Sequence, residues 1–275
     1  MSTSTLQTFD GLKLHTINWL PKGDPKAVIL IVHGIGEHSG RYTHAAAFFN
    51  ERGYAVYSYD HRGHGKSEGE RTYFTSFDLP VEDMKRVFDT VKGQNPGKKI
   101  FVYGHSMGSL ISTLFMLKYQ EGVAGFISTG SPLAVNTAAP ATVVAIGHVL
   151  AKIAPKMPFV KVGSDVLSHD PVVVKAYDDD PLVEHRPNAI AMLSRLIQSG
   201  VKAQAQLQRI TIPLLVMHGS SDKLCPPLGS QILYDRAGSK DKTLKMYPNL
   251  YHEIHNEPEQ ITVFTDMINW LDTRI

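Results

Sequence analysis

The chain has 275 residues, 43% of them hydrophobic and 20% charged, with 28 Lys and Arg against 26 Asp and Glu for a formal charge of +2. A chain this apolar can offset the entropy of ordering itself, which excludes intrinsic disorder, and the single cysteine, Cys225, excludes a disulfide scaffold. No run of five like charges offers a footprint for nucleic acid. The N-terminus lacks the basic and apolar regions of a secretory signal, and no apolar run nears the ~20 residues that span a bilayer. The expectation is a soluble, cytoplasmic protein with room for peripheral membrane contact.

In chain order, residues 5–9 and 13–18 around Asp10-Gly11 predict an antiparallel hairpin at a sheet edge. Val28-Ile29-Leu30-Ile31-Val32 is continuous, apolar and β-branched, and 55–59, 100–103, 125–128, 213–217 and 244–247 read as further strands. Strands buried on both faces lose the polar alternation in this way. Helical patterns at 43–52, 79–92 and 107–119 lie between them, so the fold class is α/β, with a mostly parallel central sheet flanked by helices. The rhythm breaks at Ser131, and seven of the 16 prolines fall between there and Gln206. Residues 1–130 and 207–275 are therefore expected to form the core, with 131–206 a mainly helical cap inserted into it. Within that insertion 141–154 reads as a helix, apolar nearly all round except at Thr142, His148 and Lys152. Two readings stay open for it: packing on the core, or a lid surface touching lipid without spanning it.

Gly104-His105-Ser106-Met107-Gly108 matches G-x-S-x-G, directly after a strand and opening a helix. A serine lifted clear of the sheet needs a tight, strained turn, and glycine two residues either side avoids a clash. The helix N-terminus adds oriented N–H groups and a positive dipole. A serine hydroxyl needs a base, and the base an orienting acid; on such an elbow they follow in the order serine, acid, histidine.

His148, His169 and His185 fall in the insertion, and His218 ends the strand before the acid. His252 follows the last strand and a Pro248-Asn249 turn, which places it at the strand's C-terminal end, and it is favoured over His255. Asp222, just after the strand at 213–217, is favoured as the acid over Asp235 and Asp241. The oxyanion donors are expected to be the backbone N–H groups of Met107 and of Ile35, in His33-Gly34-Ile35-Gly36. The pairs His61/His64 and His252/His255 do not have the spacing of a zinc site, and neither H-E-x-x-H nor C-x-x-C occurs, so no metal is expected. Asp60-His61-Arg62-Gly63-His64-Gly65 reads as turn chemistry and Asp178-Asp179-Asp180 as a solvated loop.

The stretches His33-Gly34-Ile35-Gly36-Glu37-His38-Ser39-Gly40-Arg41-Tyr42, Asp60-His61-Arg62-Gly63-His64-Gly65-Lys66-Ser67, the serine elbow, Asp178-Asp179-Asp180-Pro181-Leu182 and Tyr251-His252-Glu253-Ile254-His255-Asn256-Glu257-Pro258 occur in this order. Together they resemble the monoacylglycerol lipase (monoglyceride lipase) family over nearly the whole chain. The resemblance implies an α/β-hydrolase fold, a mobile apolar cap in transient membrane contact, and hydrolysis of monoacylglycerols to fatty acid and glycerol without a cofactor. It implies a triad of Ser106, Asp222 and His252, with Ile35 and Met107 as oxyanion donors. Glu37, Arg41, Tyr177 and His255 match residues at the glycerol end of the pocket; a structural pairing of Glu37 with Arg41 is the other reading. Cys225 matches a cysteine near that pocket. Ser109 stands where the family usually has a further glycine. The alternative on the same triad is a broader carboxylesterase or lysophospholipase.

Overall fold

The computed structural model describes residues 1–137 and 140–275. Strands β1 (Ser2–Gln7) and β2 (Lys13–Trp19) form the N-terminal hairpin, in register from Ser2 opposite Asn18 to Gln7 opposite Lys13. Gly11 takes the positive φ of +91° that the turn requires. β3 (Ala27–Val32), α1 (Thr43–Asn50), β4 (Tyr54–Tyr59), α2 (Asp78–Gln94), β5 (Ile100–His105), α3 (Met107–Tyr119) and β6 (Gly125–Thr129) then alternate. A segment follows with α4 (Ala141–Ile153), β7 (Pro158–Val160), α5 (Pro171–Asp179), β8 (Asn188–Ala189) and α6 (Ile190–Gln204). After it come β9 (Leu214–Gly219), α7 (Leu228–Arg236), β10 (Lys242–Tyr247) and α8 (Gln260–Asp272).

Among the described residues eight strands form one sheet, in the order β1-β2-β4-β3-β5-β6-β9-β10. The first two pairings are antiparallel and the rest parallel. The strand period of two explains the lack of polar alternation in β3. Val28, Leu30 and Val32 pack with Val87, Phe115 and their neighbours on one face. Ile29 and Ile31 pack with Phe49, Phe264 and Trp270 on the other. All six residues of β3 are buried, and burying each large aliphatic side chain contributes about 1.5–3 kcal/mol.

Two strands run further than their apolar runs. β5 continues through Gly104 and His105, which pair with Ser128 and Thr129 of β6. β9 continues through His218 and Gly219, which pair with Met246 and Tyr247. The polar residues at these C-terminal ends are held by ladder bonds and not by apolar burial, which is why hydropathy alone stops short of them.

The segment between β6 and β9 packs differently. Asp170 caps α5 by accepting from the Val172 N–H at 2.8 Å, with Pro171 opening the helix. β7 and β8 make a two-stranded antiparallel pair. In α4 only Ala151 is buried, on Ile190 and Ala191. Val143, Ile146, Val149 and Ile153 face outward, at 50–75% exposure.

Candidate active site

The C-terminal edge of the parallel strands gathers the chemistry-bearing residues. Ser106 sits between β5 and α3 with φ 52° and ψ −122°, a strained backbone for a residue with a side chain. Its N–H donates to the Thr129 carbonyl at 2.9 Å, which fixes the turn. The flanking glycines are sterically required. A Cβ on Gly108 would lie 2.0 Å from the Val32 carbonyl oxygen, and one on Gly104 would lie 2.8 Å from the Gly108 carbonyl oxygen. Ser109, just beyond, is fully buried and pairs its hydroxyl with that of Ser128 at 2.6 Å. A second serine therefore absorbs the extra side chain behind the elbow.

Asp222 follows β9 and is engaged on both oxygens. Oδ1 accepts from the Leu224 and Cys225 N–H groups at 2.8 and 2.9 Å. Oδ2 accepts from His252 Nδ1 at 2.6 Å and from His218 Nε2 at 2.9 Å. Burial raises the Asp222 carboxyl, but the charges and hydrogen bonds of His252 and His218 outweigh it and hold the group well below the usual carboxylate range. Burial pulls the His252 imidazole down, yet the charge and hydrogen bond of Asp222, helped by Glu253 and Glu37, leave it above its ordinary value. An ionised carboxylate accepts only, so His252 carries its proton on Nδ1 and leaves a lone pair on Nε2.

Ser106, His252 and Cys225 all line one narrow cavity of about 140 Å3. Ile35 also lines it, while Met107 is buried directly behind the elbow. Among the described residues no hydrogen bond within the chain engages the Ile35 or Met107 N–H. Burial and the neighbouring Asp222 charge push the Cys225 thiol well up, against a smaller opposing hydrogen bond with Ser106, so it stays protonated.

The polar wall of the cavity is a buried ion network. Glu37 Oε1 accepts from the Gly34 N–H at 2.6 Å and the Tyr42 hydroxyl at 2.9 Å. Arg41 donates to Glu37 Oε2 at 2.8 Å and grips both oxygens of Glu253 at 2.7 Å. Its guanidinium lies 4.8 Å from the Tyr177 ring centroid. Glu37, Tyr177 and Glu253 reach the cavity; Arg41 stands behind them. His255 is placed outside the cavity wall, stacked on Tyr42 at 5.0 Å between ring centroids and packed edge-on to His105. Burial lowers its imidazole to about 3, so it is neutral.

Three features have no sequence period and escape a reading of the chain alone. Glu253 joins the loop that carries His252 to the loop that carries Ile35 through Arg41, two residues 212 positions apart. His218 shares Asp222. The apolar wall, which includes Val135, Val160, Leu193 and Leu196, comes from the segment between β6 and β9. The Asp60 turn is structural in its contacts: its carboxylate accepts from the Ser39 N–H and hydroxyl and from the Lys66 N–H. Asp178 and Asp179 are not loop residues but end α5, exposed to solvent; Asp180, which caps the helix, accepts from His38 Nε2 at 2.9 Å and ties that helix end to the core.

A parallel sheet, a serine on a strained strand-to-helix turn and a carboxylate–imidazole pair on the loops after β9 and β10 define an α/β-hydrolase of the serine type. A family model described as serine aminopeptidase, S33, matches residues 23–259. The monoacylglycerol lipase of Mycolicibacterium smegmatis is 38% identical over 92% of this chain and 90% of its own length. The human monoglyceride lipase is 35% identical over 96% of this chain and 88% of its own. The crystal structure of the Paleococcus ferrophilus monoacylglycerol lipase superposes with a TM-score of 0.82 at 31% identity, covering 95% of this chain and 99% of that one. The chain belongs to the monoacylglycerol lipase family and is a carboxylic ester hydrolase.

Proposed function

We propose that the protein hydrolyses monoacylglycerols to fatty acid and glycerol, with Ser106 as nucleophile. The observation that carries this reading is the 2.6 Å bond between His252 Nδ1 and Asp222 Oδ2 in the wall of the cavity that Ser106 lines. His252 Nε2 takes the Ser106 proton as Oγ attacks the ester carbonyl, and Asp222 stabilises the imidazolium. The Ile35 and Met107 N–H groups, uncommitted among the described residues, receive the oxyanion. His252 returns the proton to the departing glycerol oxygen. Water, activated by the same imidazole, then releases the fatty acid from Ser106.

The substrate's two ends match the two walls. The acyl chain lies against Val135, Val160 and Leu193, which also border an adjoining apolar pocket of about 240 Å3 beside α4. The two cavities share this apolar wall, and each methylene buried against it contributes about 0.8 kcal/mol. Glycerol lies toward Glu37 and Tyr177, with Arg41 holding Glu37 in place and His255 backing the wall through Tyr42. Residues 131–206 act as a cap over this site. The outward row Val143, Ile146, Val149 and Ile153 is the face by which the cap meets lipid.

Glycerol release from monoolein, beside dioleoylglycerol, triolein and lysophosphatidylcholine, tests the reading, with Ser106→Ala as control. Preference for monoolein that the substitution abolishes is the expected result. Comparable rates on all four lipids would make the enzyme a broad carboxylesterase or lysophospholipase.

A further inference from the structure

His218 hydrogen-bonds Asp222 directly, and the reaction above leaves it without a role. It is fully buried at the end of β9. Its Nε2 is 2.9 Å from Asp222 Oδ2 and 3.0 Å from the Cys225 carbonyl oxygen. Its Nδ1 is 2.6 Å from the hydroxyl of Ser230, itself fully buried in α7. Both neighbours of Nε2 are acceptors, so Nε2 carries the proton. Nδ1 then presents a lone pair, and the Ser230 hydroxyl donates to it. A chain of hydrogen bonds runs Ser230, His218, Asp222, His252.

We propose that His218, backed by Ser230, is a positioning residue for the hydrolysis: it pins Asp222 Oδ2 in the plane where His252 needs it and shares the charge of that oxygen. The inference rests on the assignment of Asp222 and His252 made above. Two consequences follow from sharing one oxygen between two N–H donors. Without the His218 donor, Asp222 keeps three bonds in place of four and can turn about its Cβ–Cγ bond, so His252 is oriented less well. The charge on Oδ2 is also left more fully to His252, which favours the imidazolium. Turnover therefore falls while the pH at which His252 loses its proton rises. The other titratable groups around the pair are Glu253 and His255 on the same loop, Glu37 and Arg41 beside the oxyanion loop, His105 from β5, and Cys225. None of them changes in the variants below.

The test is monoolein turnover per active site, with sites counted by fluorophosphonate labelling of Ser106. His218→Leu keeps the volume and removes the donor. It is expected to lower kcat about tenfold, as loss of one hydrogen bond to a charged group does. KM should stay within about twofold, and the acid limb of kcat/KM should move up by about half a pH unit. His218→Gln, whose amide can donate to Asp222 and accept from Ser230, should recover most of both. A His218→Leu enzyme with the parent kcat per labelled site and the parent acid limb would overturn the inference. The unsubstituted protein gives a second measurement that needs no variant to fold. Nitrogen NMR of the labelled imidazoles near about pH 8 should show His218 protonated on Nε2 and bare on Nδ1; protonation on Nδ1 would overturn the inference. Turnover by Ser106→Ala would instead overturn the catalytic reading beneath it.

Discussion

The sheet and the segment between β6 and β9 use apolar residues in opposite ways. In β3 every side chain is buried, and alternate residues serve opposite faces of the sheet. In α4, also largely apolar, one residue of thirteen is buried and four large aliphatics face out. The polar groups follow the same division. Asp222 has four donors and Arg41 has two carboxylates, whereas the segment contributes chiefly an apolar wall to the cavity. Fixed geometry belongs to the sheet edge, where charge must develop at a defined point. Adaptable surface belongs to the segment that the proposed function places along the lipid's path.

The sharpest way to break this division is to remove the fixed chemistry. Ser106→Ala should lower monoolein turnover by about four to six orders of magnitude and abolish fluorophosphonate labelling. Asp222→Asn should cost about 10⁴-fold, because the amide permits the wrong tautomer of His252. Its pH profile carries a sign as well. The raised His252 group must be neutral to act as base, so activity of the parent rises with pH through a midpoint above the usual 6.5. Loss of the Asp222 charge removes what holds His252 up, so that midpoint should move down. An upward or unchanged midpoint would show that Asp222 does not govern His252.

Burial itself gives the next test. Ile29→Ser, in the middle of β3, leaves a cavity and an unpaired hydroxyl and should cost about 4 kcal/mol or more. Chemical denaturation would show it as a lower midpoint, or soluble protein would fail to accumulate. A loss under about 1 kcal/mol would mean that the sheet core is far looser than its packing implies.

A substitution at the boundary of the two regions separates binding from chemistry. Leu193 belongs both to the cavity wall and to the adjoining pocket. Leu193→Trp should narrow the passage between them and reduce kcat/KM on monoolein about a hundredfold. Short nitrophenyl esters should be turned over within about threefold of the parent, since the reacting groups are untouched. An equal loss on short and long esters would place Leu193 in the chemistry and not in the acyl path.

These contrasts also mark what the sequence discloses. The run Val28–Val32 specifies a strand because buried parallel strands read as continuous apolar segments. The elbow is legible because its glycines answer a crowded close approach, and the Asp10-Gly11 hairpin because Gly11 takes the positive φ of the turn. The outward face of α4 is not legible. Thr142, His148 and Lys152 alone interrupt its apolar surface, and a helix packed on the core and one facing lipid both fit those residues. Nor are Arg41 with Glu253, or Ser230 with His218, legible. Those contacts join loops distant in sequence, and no periodicity records which loop ends meet at the sheet edge.

The smallest effect concerns the same chemical change at the other kind of site. Ile146, at 60% exposure on α4, has little burial to lose, so Ile146→Ser should alter stability by less than about 0.5 kcal/mol. If the row Val143, Ile146, Val149 and Ile153 meets lipid, the substitution should still weaken binding to phosphatidylcholine vesicles. An aliphatic side chain withdrawn from an apolar interface forfeits about 1–2 kcal/mol of partition, or about tenfold in affinity. Co-sedimentation reads that loss directly, and turnover of a short soluble ester should be unchanged beside it. Vesicle affinity equal to the parent would leave α4 with no function in lipid contact. The pair Ile29→Ser and Ile146→Ser therefore separates two roles of one residue type: in the sheet it is needed for the fold to exist, and on α4 it matters only at a surface.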